Sequence, residues 1–290
     1  MCGIIGIFHY EKAYEKVKAA LALLQKRGQD GFGITNGKEV LHNTFPEVFH
    51  SSHMMGHTLH AVVDHIPQPL KRDGILVANC EIYNWQELNE KYHFNAKNDA
   101  ELLLCLLDVF GQKKIEELDG VYAFAYWKEN HLILARDILG EKPLWFCMED
   151  GFAFASEKNV LEQLGYQHIR ELHPRHVLTY QILSRIIETN YRGFFSHLPE
   201  HLESFEEIKR RTTELLDQSI QKRIPLQKFG LLFSGGIDST YLAYWLKKRG
   251  YDFTCYTAAL ETGGVPPTDL VSAQKVAQEL GLKLKIKKIK

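Results

Sequence analysis

Two stretches of this sequence carry residue types that do chemistry. The chain opens MCGIIGIF, so Cys2 stands one residue from the start, directly ahead of a glycine and an apolar run. Removal of the methionine would leave a thiol and the chain's α-amine on one residue. That amine titrates near roughly 7.7–8.0, so at neutral pH a fraction is unprotonated and can take the thiol proton. Position alone favours the plainer reading, a small buried cysteine beginning a strand. The second stretch is SGGIDST, residues 234–240. Gly235 and Gly236 let backbone N–H groups face an anion, and a helix behind them adds roughly half a positive charge at its start. Ser234 and Ser239 offer hydroxyl donors, and Asp238 can hold Mg²⁺ on phosphates. A serine/glycine helix cap is the alternative. A run of seven such residues between an apolar strand and a helix favours a phosphate site at a strand's carboxyl edge. It is not a Walker loop, because no Gly-Lys-Ser/Thr follows.

The elements that must position these residues are read from periodicity. Residues 3–8 form an apolar strand, and 13–26 form a helix with Val17, Ala20, Leu21 and Leu24 on one face. RGQDGFG (27–33) reads as a loop whose glycines let its backbone approach something closely. GILVAN (74–79) is a strand running into NCEIYNW, and 99–110 is a second amphipathic helix. VYAFAYW, HLILAR, LWFCM, GFAFAS and HVLTYQIL read as strands up to about residue 187. VYAFAYW is apolar on both faces, which predicts a strand covered on both sides. From 205 the pattern becomes helix 205–221, strand 229–233, helix 239–249, strand 253–260, helix 269–280 and strand 283–289. Alternation of this kind builds βαβ units and a parallel sheet. Residues 191–204 read as the linker between a domain at 1–190 and a second at 205–290.

Composition narrows the field. Over 290 residues, 45% hydrophobic and 24% charged is globular usage with room for two domains. A formal net charge of −1 gives no electrostatic case for nucleic acid or a membrane as partner. The five cysteines are scattered without CxxC spacing, against a disulfide framework or zinc site. His50, His53, His57, His60 and His65 show no zincin pattern and read as surface and pocket side chains. No secretory leader or apolar run of about 18 residues is present, so the expected location is cytoplasmic.

SGGIDST, followed by TAAL and DLVSAQKVAQELG, resembles the pyrophosphatase loop and helix of glutamine-dependent asparagine synthetases. MCGIIGIF, RGQDGFG, NCEIYNW, NDAELLL, LDGVYAFAYW, ARDILGEKPLWF and FAFASE resemble the same family's class II glutamine amidotransferase domain. RGQD is closer to the spelling of phosphoribosyl amidotransferases, and the pyrophosphatase loop decides for the synthetases. The resemblance implies an α+β N-terminal-nucleophile domain, an αββα sandwich, followed by part of an α/β parallel-sheet ATP-pyrophosphatase domain. It implies that Cys2 attacks the side-chain amide of glutamine. The Asn79 side chain and the Cys80 N–H would then hold the oxyanion. Asp99 would bind the α-ammonium, with Glu81 beside it in the substrate site. It further implies ATP and Mg²⁺ as cofactors at Ser234, Gly235, Gly236, Asp238 and Ser239, with the Leu232 and Ala258 backbones on the nucleotide. The acceptor would be a carboxylate, aspartate first, adenylated by ATP with release of pyrophosphate, after which ammonia displaces AMP.

Two positions depart from the family. Cys80 stands where the family has glycine, which is unfavourable if that backbone needs positive φ or close substrate approach. Leu59, in GHTLHAVVD, stands where the family places an arginine on the substrate's α-carboxylate, and no arginine occurs from 28 to 71. These departures keep a second reading open, a catalytically weakened homologue whose first domain is a scaffold or regulator with residual nucleotide binding. The three strands after 228 supply one side of a doubly wound sheet and leave FGLLF as an open edge. The sequence therefore predicts a fragment or split synthetase that needs a second polypeptide or a homo-oligomer.

Overall fold

GIIGIF has no polar residue on either face, and such a strand is stable only between two covered layers. In the computed structural model, which describes residues 1–61, 65–193, 200, 203–225, 227–260 and 267–289, it lies in such a place. The chain divides into two compact units, Met1–Pro199 and Glu200–Lys290. No helix among the described residues is long and apolar enough to cross a membrane.

The first unit begins with β1 (Gly3–Phe8), α1 (Ala13–Leu24), β2 (Gly31–Thr35), β3 (Val40–His42), β4 (His53–Leu59), β5 (Leu70–Lys71) and β6 (Ile75–Ile82). It continues through α2 (Trp85–Lys91), α3 (Asp99–Phe110), a 3₁₀ turn at Gly111–Glu117, β7 (Gly120–Lys128), β8 (His131–Arg136) and β9 (Trp145–Met148). β10 (Phe152–Ala155), α4 (Lys158–Gln163), β11 (Arg170–Glu171), β12 (His176–Gln181) and β13 (Ile186–Tyr191) complete it. The strands form two antiparallel sheets, β11-β9-β10-β1-β4-β2-β3 and β13-β12-β8-β7-β6-β5.

Alternation sorts the side chains into layers. Ile5 and Ile7 of β1 meet Val17, Ala20, Leu21 and Leu24 of α1. Ile4 and Phe8, on the opposite face, join Val77, Ala123, Ala125 and Tyr180 between the sheets. Tyr122, Phe124 and Tyr126 of β7 face outward onto Leu103, Leu104 and Leu107 of α3. The order is therefore helix, sheet, sheet, helix, and β7 is covered on both faces as its composition predicts.

Four local expectations change. Only the first half of RGQDGFG is a loop, since Gly31–Thr35 is β2. HVLTYQIL is one strand and the start of a turn, because β12 ends at Gln181 and β13 returns beside it. Tyr191 closes β13 and Arg192 is buried, so the expected linker begins later, and most of it (194–199, 201 and 202) lies outside the described residues. His57 is fully buried, since β4 is an interior strand and His57 points into the molecule to reach the Ala78 carbonyl.

In the second unit, α5 (Phe205–Gln221), β14 (Phe229–Leu232), α6 (Ile237–Lys248), β15 (Phe253–Leu260), α7 (Thr268–Glu279) and β16 (Leu284–Ile289) follow one another. The strands form a parallel sheet, β14-β15-β16, with β14 at an edge. Ala243 of α6 and Ala273 and Ala277 of α7 cover one face, against Leu231, Phe233 and Cys255. The helix at 239–249 starts earlier than its apolar period suggests, so the second half of SGGIDST is the first turn of α6.

Candidate functional site

Strand register brings the chain start to the end of β4: Gly3 pairs with Thr58, so Cys2 lies beside Leu59 and His60. The Cys2 sulfur accepts the His60 backbone N–H at 3.3 Å and lies 3.7 Å from the His60 carbonyl. Its backbone N–H donates to Asn79 Oδ1 at 3.2 Å. RGQD wraps this junction. Arg27 donates from Nε to the Cys2 carbonyl at 2.9 Å and pairs with Glu157 at 3.1 Å. Asp30 accepts the Ala61 N–H at 2.8 Å and returns its own N–H to the Leu59 carbonyl. Gly28 is the close approach that its glycine implied, because a Cβ there would lie 2.6 Å from the Leu59 carbonyl carbon and oxygen.

A cavity of about 240 Å³ opens at Cys2, and Asn79, Cys80, Glu81, Asp99 and Leu59 all line it. The cavity exists because β6 has an exposed edge there, its pairing with β5 covering only Ile75 and Leu76. Two side chains cap that edge. Gln68 Oε1 accepts the Ala78 N–H at 2.7 Å, and Asp99 Oδ2 accepts the Ile82 N–H at 3.0 Å. Since N–H groups alternate along a strand, the Cys80 N–H between them faces the same side. Asn79 is buried, and its Nδ2 has no partner. Asn79 and Cys80 thus both line the cavity that opens at Cys2.

Cys80 sits in regular β6, opposite Tyr122, and is not among the residues of positive φ. The feared backbone strain is therefore absent, and what the side chain adds is a thiol in the cavity that Asp99 also lines. Burial first, and the Asp99 charge second, push that thiol well above its ordinary range, so it stays protonated. Burial also raises the Asp99 carboxyl, against the Ile82 and Ala100 N–H groups that hold it down. The Cys2 thiol is likewise raised by burial, opposed by the His60 N–H. Asn98 caps α3, accepting the Glu101 N–H at 2.8 Å, and so fixes Asp99 at the helix start. Lys142 pairs with Glu81 at 3.1 Å.

His60, Gln68, Asn98 and Lys142 do not emerge from the sequence reading. His60 acts through its backbone, and Lys142 reaches Glu81 across 61 residues, so neither leaves a local signal. Asn98 could have been found, since Asn-Asp-Ala-Glu ahead of an apolar period is a capping pattern.

In the second unit, Gly235 has φ +74 and a Cβ there would meet the Ala273 nitrogen at 2.5 Å, so glycine is required. Gly236 is the N-cap of α6, and Ser234 and Ser239 hydroxyls lie 3.2 Å apart across the loop mouth. Asp238 is exposed in the first turn, and Leu232 and Ala258 are exposed on neighbouring strands. Among the described residues no group of three or more His, Cys, Asp and Glu could hold a metal ion. A cation beside Asp238 would therefore take most of its oxygens from phosphates. The loop fits a phosphate chain on that ground: exposed N–H groups at a helix start, two hydroxyls and one acid.

Residues 1–214 match the family model described as a glutamine amidotransferase domain. The chain belongs to that family. Residues 211–289 match the model for asparagine synthase. Relatives align with nearly all of the chain. A Methanocaldococcus jannaschii protein, provisionally named a glutamine-hydrolysing asparagine synthetase, is 32% identical over 99% of this chain and 58% of its own length. The asparagine synthetase of Gallus gallus is 27% identical over 97% of this chain and 55% of its own. Asparagine synthetase B of Escherichia coli is 26% identical, covering 97% and 53%. The chain thus spans just over half the length of these curated relatives. Among solved structures, glutamine phosphoribosylpyrophosphate amidotransferase of B. subtilis superposes with a TM-score of 0.59 at 18% identity, covering 98% of this chain and 90% of that one. At that identity the likeness concerns the fold, and it supports the N-terminal-nucleophile architecture.

Proposed function

We propose that this amidotransferase releases ammonia from a glutamine side-chain amide at Cys2 and delivers it to an ATP-activated carboxylate, aspartate being the first candidate. In this reading Met1 is removed and the Cys2 α-amine takes the thiol proton. The thiolate attacks the amide carbon, Asn79 Nδ2 and the Cys80 N–H hold the oxyanion, and Asp99 takes the substrate ammonium. Water then cleaves the thioester. ATP and Mg²⁺ would rest on Ser234–Ser239, with Asp238 toward the metal and the Leu232 and Ala258 backbones toward the nucleotide. The observation that carries the reading is that Asn79, whose buried Nδ2 has no hydrogen-bond partner, lines one cavity with Cys2 and Asp99.

A second reading has its own support. The Cys80 side chain shares the cavity with Asp99, and Leu59 offers hydrocarbon where a carboxylate clamp is expected. Both favour a weakened homologue in which the first unit is a scaffold or regulator. Intact mass of the mature chain together with ammonia release decides between them. Loss of Met1 and turnover abolished by Cys2→Ala supports the enzyme. A retained Met1, or turnover indifferent to Cys2→Ala, removes it.

A further inference from the structure

The cavity at Cys2 is acidic on one side and hydrocarbon on the other. Asp99 and Glu81 line it, as do Leu59 and Ile66, and among the described residues it contains no lysine or arginine. The His60 ring is half exposed and faces Asp30 at 3.6 Å. Val62, Val63 and Asp64, next in sequence, include no cation. Nearby cations have other partners: Lys142 pairs with Glu81, and Arg27, with one buried Nη2 unpaired, holds the Cys2 carbonyl and Glu157 from outside the lining. Among the described residues at the cavity the chain's own amino terminus is the remaining positive group, and in the proposed mechanism removal of Met1 transfers it to Cys2 as the base.

Glutamine carries its α-ammonium and α-carboxylate on one carbon. Seating the ammonium on Asp99 therefore brings the carboxylate to about 5 Å from a like charge. Without an opposing cation, at an effective dielectric of about 20, that repulsion weakens binding on the order of 100-fold. Leu59, only 6% exposed, adds the cost of pressing an unpaired carboxylate against hydrocarbon. An uncharged α-carboxamide escapes both.

We propose that the substrates of this site are glutamine derivatives with a free α-ammonium and a neutral α-carbonyl, such as a glutamine α-amide or an amino-terminal glutaminyl residue. The inference rests on the reading of Cys2 as nucleophile. The Cys2 sulfur bonds to the side-chain carbonyl carbon, and the C–N bond breaks. Ammonia leaves with the proton held by the Cys2 amine, and water then returns the thiol and a γ-carboxylate.

The test uses the mature full chain and four probes: L-glutamine, L-glutamine α-amide, glutaminyl-glycinamide and Nα-acetyl-L-glutamine. Ammonia is measured and products are identified by mass, so that loss of the side-chain amide is distinguished from loss of the α-amide. The expected kcat/KM for the α-amide exceeds that for glutamine at least about 30-fold, with acetylglutamine inert. A further gain for glutaminyl-glycinamide identifies a peptide amino terminus, and equal rates identify the small amide. Leu59→Arg should move the preference back toward free glutamine by a similar factor. Glutamine turned over as efficiently as its α-amide overturns the substrate class and leaves Cys2 as nucleophile intact. Cys2 alkylated by iodoacetamide while no probe is hydrolysed also overturns it. If Cys2 neither alkylates nor supports hydrolysis, the nucleophile reading itself falls and the substrate class falls with it.

Discussion

Gly28 is the residue on which the surroundings of Cys2 close. Arg27 and Asp30 reach the Cys2 carbonyl and the Ala61 N–H from either side of it, and both need the backbone at 28 pressed onto Leu59. A methyl at that position would meet carbonyl atoms of Leu59 and Thr58, which cannot rotate away as a side-chain tip can. Gly28→Ala should therefore cost about 1–3 kcal/mol, read as a lower urea midpoint at unchanged slope. It should also slow alkylation of Cys2. An unchanged midpoint would show that the junction relaxes. The same corner shows how much of the candidate site is legible in sequence. Cys2, Asn79, Cys80, Glu81 and Asp99 meet in one cavity, and each sits in a short motif of recognisable residue types. The His60 amide and the Gln68 cap are invisible because their contribution depends on which strand edge is exposed, a property of the sheet rather than of any window.

At the scale of elements, α3 holds Asp99, the proposed ammonium site, by its first turn. Asn98 accepts the Glu101 N–H, and Asp99 follows at once, so the cap and the acid share one backbone geometry. Asn98→Ala should cost about 1 kcal/mol, and in the proposed enzyme it should raise KM more than it lowers kcat, because binding is disturbed before chemistry. A variant with the stability loss but an unchanged KM would separate the cap from the site. β4 contributes a pH dependence through His57. Burial lowers its pKa to about 3, and its Nε2 faces the Ala78 carbonyl at 3.1 Å. The folded value lies below the unfolded value of about 6.5, so the stability it lends is present above that pH. It is lost as pH falls toward the folded value. Between pH 6.5 and 5 the loss is about 2 kcal/mol, and His57→Gln should remove that slope in urea titrations at the two pH values. Half-buried His53, lowered to about 4, acts in the same direction and remains in both chains. Every element of the second unit was legible, but in the first unit β2 to β5, α2, α4, β11 and β13 were not, and two features misled. Three glycines in RGQDGFG imitate a loop, yet β2 needs Gly33 because a Cβ there would lie 2.1 Å from the Gln68 carbonyl. The β12–β13 turn contains no glycine, since Arg185 itself adopts φ +59, so nothing in HVLTYQILSR marks it.

On the scale of the whole molecule, the two units differ in how completely they hide apolar surface. The first is layered on both sides of each sheet, whereas the second has a parallel sheet covered on one face. Leu232, Tyr256 and Leu260 lie 85%, 42% and 60% exposed on the other face. Parallel sheets occur almost only with both faces covered. The edges differ as well. β16 carries Lys285, Lys287 and Lys288, which discourage a further strand, while β14 reads FGLL with no charge to protect it. α5 has no buried residue and exposes Phe205, Leu215 and Leu216, and its Asp217 ties it to Trp245 and Arg249 of the α6 region. An uncharged edge, a bare apolar face and an apolar helix stripe in one unit favour association, and a second copy of the chain is one occupant that fits them. Light scattering across a concentration series should therefore give a mass that rises above the monomer. Leu232→Lys should return it to the monomer, since a lysine on β14 supplies the protection that β16 already has. Amide exchange makes the outcome decisive. If the chain stays monomeric while β14 and α5 amides exchange as slowly as those of β6 and β7, the second unit hides this surface by itself and the association is ruled out.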